Sequence, residues 1–209
     1  MYYDLMLSYY LPTADVAARD EGFAIQRNYY DYQDYLKIQT LKSQERDNYL
    51  SGSLSYDDLK YPQMVTAYLT PVQTIKIGQL LVVDNQIIAT ETRDKVMFEG
   101  FLPAGAEAIN TSLATSQKLN IQSDSTQQAQ LSQNGFVQIN TIGDLFTRVE
   151  FRADRVMGYT SVMYPGVHHF LYVVRAGYAG QFGINPSMIS QINTPEVFGR
   201  TAGQVMKIE

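Results

Sequence analysis

The 209-residue chain has no cysteine and no tryptophan, and its two histidines stand side by side as His168-His169. Without cysteine there is no thiol nucleophile, no Cys-based zinc site and no disulfide framework. The redox compartment stays open, because an oxidising space permits disulfides without requiring them. Two adjacent histidines give little material for a nucleophile relay or a metal site, each of which needs further ligands or carboxylates converging in space. Charge is sparse as well: 18% of residues are Asp, Glu, Lys or Arg, the net charge is −5 and the basic residues are scattered. That distribution excludes the clustered Lys and Arg of a phosphate-backbone binder, so no nucleic-acid partner is expected. No apolar run approaches the ~18 residues of a membrane span. Residues 1–20, with Asp4, Asp15, Arg19 and Asp20, carry no basic stretch followed by an apolar one.

What is present is strand-forming material. Hydrophobic residues make up 45% of the chain and include 16 tyrosines, enough for a domain that buries roughly two thirds or more of its unfolded surface. Tyr2 to Leu11 reads as a strand that stops at Pro12. Arg19 to Ile25, continuing to Tyr29-Tyr30, reads as another, followed to about Tyr61 by short irregular or helical pieces. Met64 to Leu69 and Thr74 to Val83 are β-branched stretches broken by Pro71 and Gly78. Asp84-Asn85 reads as a hairpin turn before Gln86 to Thr90. Val96 to Phe98 leads to Phe101-Leu102-Pro103-Ala104-Gly105, where Pro and Gly end the strand.

Residues 112–134 are dominated by Ser, Thr, Gln and Asn and predict a long polar surface loop, since few apolar groups offset its ordering entropy. The last third is the most regular. It offers strands at Phe136 to Ile139, Val149 to Phe151, Val156 to Tyr164, His169 to Arg175 and Gln204 to Ile208. Turns are expected at Asp154-Arg155, Pro165-Gly166, Gly177 to Gly180 and Pro195 to Gly199. Strands about 8–12 residues apart describe an all-β, antiparallel β-sandwich with a few short helical or irregular insertions.

Several strings, in this order, carry a family resemblance: Tyr2-Tyr3-Asp4-Leu5 to Pro12, Arg19-Asp20-Glu21-Gly22-Phe23 with Tyr29-Tyr30, and Phe101-Leu102-Pro103-Ala104-Gly105 with Glu107. They are followed by Val149-Glu150-Phe151-Arg152, Gly166 with His168 and Phe170, Val174-Arg175-Ala176, and Pro195-Glu196-Val197 with Gly199-Arg200. The sequence resembles the C-terminal end of bacterial alpha-2-macroglobulins, relatives of the broad-range protease traps of animal plasma. The resemblance implies that residues 1–17 are the closing strand of a preceding domain and 18–209 a C-terminal macroglobulin-like sandwich. It also implies that the chain is the tail of a longer protein whose targeting signal, bait region and thioester domain lie upstream.

By the same resemblance the partners are the other domains of the parent, a thioester-like domain among them, and target proteases reached through the parent. The setting is periplasmic or cell-surface, with membrane contact only through an upstream lipid anchor. The family's thioester motif, Cys-x-Glu-Gln, is absent from this cysteine-free chain. Where the family often has a Met-Tyr pair thought to shield the thioester, this sequence has Ile192-Asn193. These two residues are the expected interdomain interface, with nearby Met188 as a substitute cover. An alternative from another class is a stand-alone adhesion or repeat module of a bacterial surface protein.

The remaining candidates have plainer readings. His168-His169 beside Pro165-Gly166 reads as a strand-end pair, and Arg152, Asp154 and Arg155 as a solvated, ion-paired face. The tyrosines read as core and rim packing. Asp84, Asn85 and Asp94 lack the dense ligand pattern of a calcium loop, and Ser112, Ser161 and Ser187 lack a nucleophile-elbow context. No cofactor and no enzymatic activity are expected.

Overall fold

The computed structural model describes residues 11–50, 65–110, 130–131, 137–138 and 145–209. Most of the strand expected at Tyr2 to Leu11 and most of the expected polar loop at 112–134 lie outside the described residues. The first half of the chain supplies β1 (Arg19–Glu21), β2 (Phe23–Asp31), α1 (Tyr32–Leu50), β3 (Thr74–Ile75), β4 (Leu80–Ala89), β5 (Arg93–Phe101) and β6 (Ala106–Ile109). The second half supplies β7 (Gln130–Leu131), β8 (Val137–Gln138), β9 (Arg148–Phe151), β10 (Arg155–Met163), β11 (Gly166–Ala176), β12 (Gly180–Ile184), β13 (Met188–Gln191), β14 (Thr194–Arg200) and β15 (Gln204–Ile208). A six-stranded sheet in the order β1-β14-β13-β5-β10-β9 faces a four-stranded sheet, β2-β4-β11-β6. A third sheet, β12-β15-β3, completes one side, and β7 pairs with β8.

Period-2 patterning fixes which side chains meet between the sheets. In β2, Phe23, Ile25 and Tyr29 point inward, and in β11 Phe170, Tyr172 and Val174 do the same. They meet Val96 and Phe98 of β5, Val156 of β10, and Ile184, Met206 and Ile208 of the third sheet. At the centre, Phe146 sits against Phe98 and Phe170 with ring centroids 5.6 and 4.9 Å away. Its ring lies directly over Gly158, where a Cβ would stand 2.4 Å from the nearest ring atom. A glycine is needed there for the close approach.

The four-stranded sheet is covered on its other face too. Val82, Leu171 and Val173 pack there with Tyr32 and Tyr35 of α1, and a 3-10 turn at Val65–Tyr68 adds Val65. α1 starts where the Asp31 carboxylate accepts the backbone N–H groups of Gln33 and Asp34 at 2.8 and 3.1 Å, an N-cap. Where the sequence predicts short irregular or helical pieces, one 19-residue helix stands. Its contacts with the sheet sit at Tyr32 and Tyr35, both buried, and at the partly buried Leu36.

Two further expectations are corrected. Asp84-Asn85 is not a hairpin turn: β4 runs straight through it, and both side chains are buried. Each has partners that make this tolerable. Asp84 accepts from Thr66 Oγ1 at 2.8 Å and from His169 Nδ1 at 3.0 Å, while Asn85 Oδ1 accepts from Ser187 Oγ at 3.1 Å. Buried polar groups with satisfied bonds do not break a strand. Pro195 to Gly199 likewise is not a turn but the body of β14. Pro195 is accommodated because the β13–β14 register slips between Ser190 and Gln191, leaving residues 195–197 without partners on β13.

The entering chain is tied down as well. Thr13 Oγ1 donates to Asn185 Oδ1 at 3.2 Å, Gly203 N–H to Val16 O at 2.9 Å and Arg200 Nε to Ala17 O at 3.1 Å. No helix among the described residues is long and apolar enough to cross a membrane.

Candidate interdomain interface

Ile192 and Asn193 form the turn that joins β13 to β14, and both are exposed. Ile192 keeps 51% of its surface in solvent, as single apolar residues on a protein surface often do. The turn is held from the side. Ile192 N–H donates to Lys95 O at 2.9 Å, and the Gln191 side-chain amide donates to Asp94 O at 3.2 Å. Lys95 itself has a positive φ of 52°, in the left-handed region where non-glycine residues are uncommon. On its other flank the β5–β10 pairing passes from Val96↔Thr160 to Asp94↔Val162. Two neighbouring strands, β13 and β5, are thus irregular at this end.

The same end of the sheet presents two more apolar side chains, Val162 at 36% and Tyr164 at 61% exposure. Tyr164 begins the turn into β11. His168 fixes that turn, its buried imidazole Nε2 donating to Tyr164 O at 2.8 Å. Burial holds the His168 pKa below its ordinary value, so the ring is a neutral donor. The sequence names Ile192 and Asn193 for this surface but not Lys95, Val162 or Tyr164. The Pro165-Gly166 signal marks the turn beside Tyr164, whereas nothing local announces the irregularity at Lys95. Met188 is not gathered here. It is half-buried at the opposite end of β13, pairing with Glu99 and Arg200, about 13 Å along the strand from Ile192.

The histidines diverge, as adjacent strand residues must. His168 lies on the core face, while His169 lies on the face covered by α1 and meets Asp84. In that group the carboxylate sits between Thr66 and His169, and the other imidazole nitrogen, Nε2, is 3.4 Å from the Gln86 amide. The arrangement ties the Val65–Tyr68 turn to the sheet rather than aligning a hydroxyl with a base. Among the described residues no three His, Asp or Glu side chains gather as a metal site requires. Arg152 and Arg148 both pair with Glu150, and Arg155 pairs with Asp154 and Glu99. Hydrogen bonding from Arg152 holds the Glu150 carboxyl below its usual range, and Arg155 does the same for Asp154. The charges of this face are spent on one another.

Residues 22–196 match the family model described as the bacterial alpha-2-macroglobulin MG10 domain. An alpha-2-macroglobulin homolog of Nostoc is 28% identical over 137 residues, covering 65% of this chain and 6% of that protein. Native alpha-2-macroglobulin of Escherichia coli, spanning domain MG7 to the C-terminus, superposes on 92% of this chain and 24% of its own, with a TM-score of 0.59 at 16% identity. The Salmonella protein reacted with methylamine does so over 93% and 10%, with a TM-score of 0.54 at 15% identity. These structures share the fold, and the chain spans only a small part of each relative's length. With the model matched across most of its residues, the chain belongs to the bacterial alpha-2-macroglobulin MG10 domain family.

Proposed function

We propose that this chain is the C-terminal structural and regulatory domain of a bacterial alpha-2-macroglobulin-type protease inhibitor. It docks on a neighbouring thioester-like domain of its parent through the β13–β14 turn and is released on activation. The observation that carries the reading is the half-exposed Ile192 on a turn fixed by backbone bonds to β5. A rigid apolar projection with Val162 and Tyr164 beside it has the makeup of a small interface centre ringed by polar groups. Asn193 supplies a polar contact at its tip, and Met188 supports β13 from the far end. Residues 1–17 belong to the domain before it, and 18–209 form this one. The parent acts in the periplasm or at the cell surface, held by a lipid anchor upstream, and meets proteases there. The domain contributes burial and release, not chemistry.

Amide exchange in the full-length parent tests this. The peptide spanning 190–196 is expected to exchange slowly in the intact protein and at least tenfold faster after protease treatment. Equal exchange in the two states would remove the docking role.

A further inference from the structure

The core face of the four-stranded sheet carries one guanidinium. Arg27 follows Phe23 and Ile25 in the inward phase of β2 and is 1% exposed. Among the described residues no carboxylate pairs with it. Its Nε donates to Gln204 Oε1 at 2.8 Å, and Nη1 faces Phe101 O at 3.1 Å, Asn185 O at 3.0 Å and Ser187 Oγ at 3.2 Å. All of these partners are neutral. Nη2 is buried with no acceptor, and the Tyr29 and Tyr172 hydroxyls are in the same condition.

The register brings the three together. Arg27 lies opposite Asn85, and in the next row Tyr29 and Tyr172 flank Val83 from either side. The Arg27 guanidinium carbon is 5.6 Å from the Tyr29 ring centroid. The Tyr172 hydroxyl reaches the β5 backbone at Gly100, where a Cβ would stand 2.8 Å from it, one residue from the Phe101 carbonyl that Arg27 holds. Asn85 lies beside the Tyr172 hydroxyl without forming a hydrogen bond to it; its amide donates to Phe170 O and accepts from Ser187 Oγ. Burial pushes both phenols above their ordinary pKa, so both remain protonated and able to donate.

An isolated buried cation is costly, and its cost is met by an opposite charge or by fully satisfied hydrogen bonds. A water molecule here would satisfy hydrogen bonds but would leave the guanidinium without a counter-charge. We infer that Arg27 Nη2, Tyr29 Oη and Tyr172 Oη form a buried site for a monovalent, acceptor-only anion of the halide class. The ion accepts three convergent donors and neutralises the guanidinium between the sheets. A cavity of about 60 Å³ lies on the Tyr29 and Gln204 side of the group.

Two measurements on the 209-residue chain test the site. Crystals soaked in sodium bromide should show an anomalous peak within about 3.5 Å of Arg27 Nη2. The thermal midpoint should rise by about 3–5 °C for each tenfold increase in bromide or chloride above the dissociation constant, with no such rise in sodium gluconate at equal ionic strength. Tyr172→Phe and Tyr29→Phe keep the rings and should each weaken the halide response severalfold. Arg27→Met, if it folds, should abolish it. Ordered density without anomalous signal would mean a water molecule and overturn the assignment. So would a midpoint that responds alike to gluconate and halide, or a halide response unchanged in both phenylalanine variants.

Discussion

His169 Nδ1 lies 3.0 Å from Asp84 Oδ1, diagonally across the β4–β11 ladder, with both side chains buried beneath the Val65–Tyr68 turn. The Asp84 carboxylate holds Thr66 on its other oxygen. Truncating it strands two partners in an apolar layer, at a cost of about 1–3 kcal/mol for each buried group left unpaired. Asp84→Ala is therefore expected to lose about 2–5 kcal/mol by urea denaturation. Asp84→Asn, which keeps one acceptor, should lose less. Equal losses would show that the cost is packing rather than hydrogen bonding.

His168 gives a pH dependence of defined sign. Its folded pKa is depressed by burial, so the unfolded chain takes up a proton at a higher pH than the folded one. Stability is complete above the unfolded value of ~6.5 and is lost as pH falls from there through the folded pKa. Urea midpoints measured from pH 7.5 to 5 should decline in the wild type and decline less in His168→Gln. Glu150 and Asp154, whose pKa values are lowered, act only below this window.

Gly158 should be intolerant of any side chain. A Cβ there meets three Phe146 ring atoms at 2.4–2.8 Å, inside the aromatic cluster of Phe98, Phe146 and Phe170. Gly158→Ala is expected to cost about 1–3 kcal/mol through overpacking. Phe146→Leu in the same chain should recover part of it, and a purely additive double mutant would contradict direct contact.

Gly203 is predicted to control the entering chain rather than the sandwich. A Cβ at this position would stand 1.7 Å from the Thr13 carbonyl oxygen, so Gly203→Ala has to lift the Thr13–Val16 segment. Proteolysis within residues 11–18 should accelerate at least tenfold while the global unfolding midpoint shifts little. A large midpoint shift without local cleavage would assign the segment to the core.

Ile192→Ser, by contrast, should leave the isolated domain within about 0.5 kcal/mol of wild type, as expected of an exposed position. A loss above 2 kcal/mol in the isolated chain would mark the turn as structural.

The regular strands are legible because their apolar residues alternate or run continuously, as in Val156 to Met163 and Phe170 to Val174. The errors fall where tertiary partners override local signals. Asp84-Asn85 looks like a turn until Thr66, His169 and Ser187, up to 102 residues away, supply its hydrogen bonds. Pro195 and Gly199 look like breakers until the register slip excuses the proline. At Gly199, a Cβ would meet the Phe23 carbonyl at 2.3 Å, so glycine is there for close packing. α1 is obscured because Tyr32 and Tyr35 anchor it with residues that favour strands. At the candidate interface the turn residues are readable, but the positive φ of Lys95 and the exposure of Val162 depend on how three strands end together.

β13 lies inside its sheet, laddered to β5 on one side and β14 on the other. A pull on Ile192 along the strands draws β13 and β14 together and therefore loads the β5–β13 and β1–β14 ladders in shear, many bonds sharing the force at once, instead of peeling one edge bond after another. Mechanically the turn is the head of a nail rather than the end of a zip. A neighbouring domain seated on it would have to be torn away as a unit, so separation would be abrupt and would leave this fold intact.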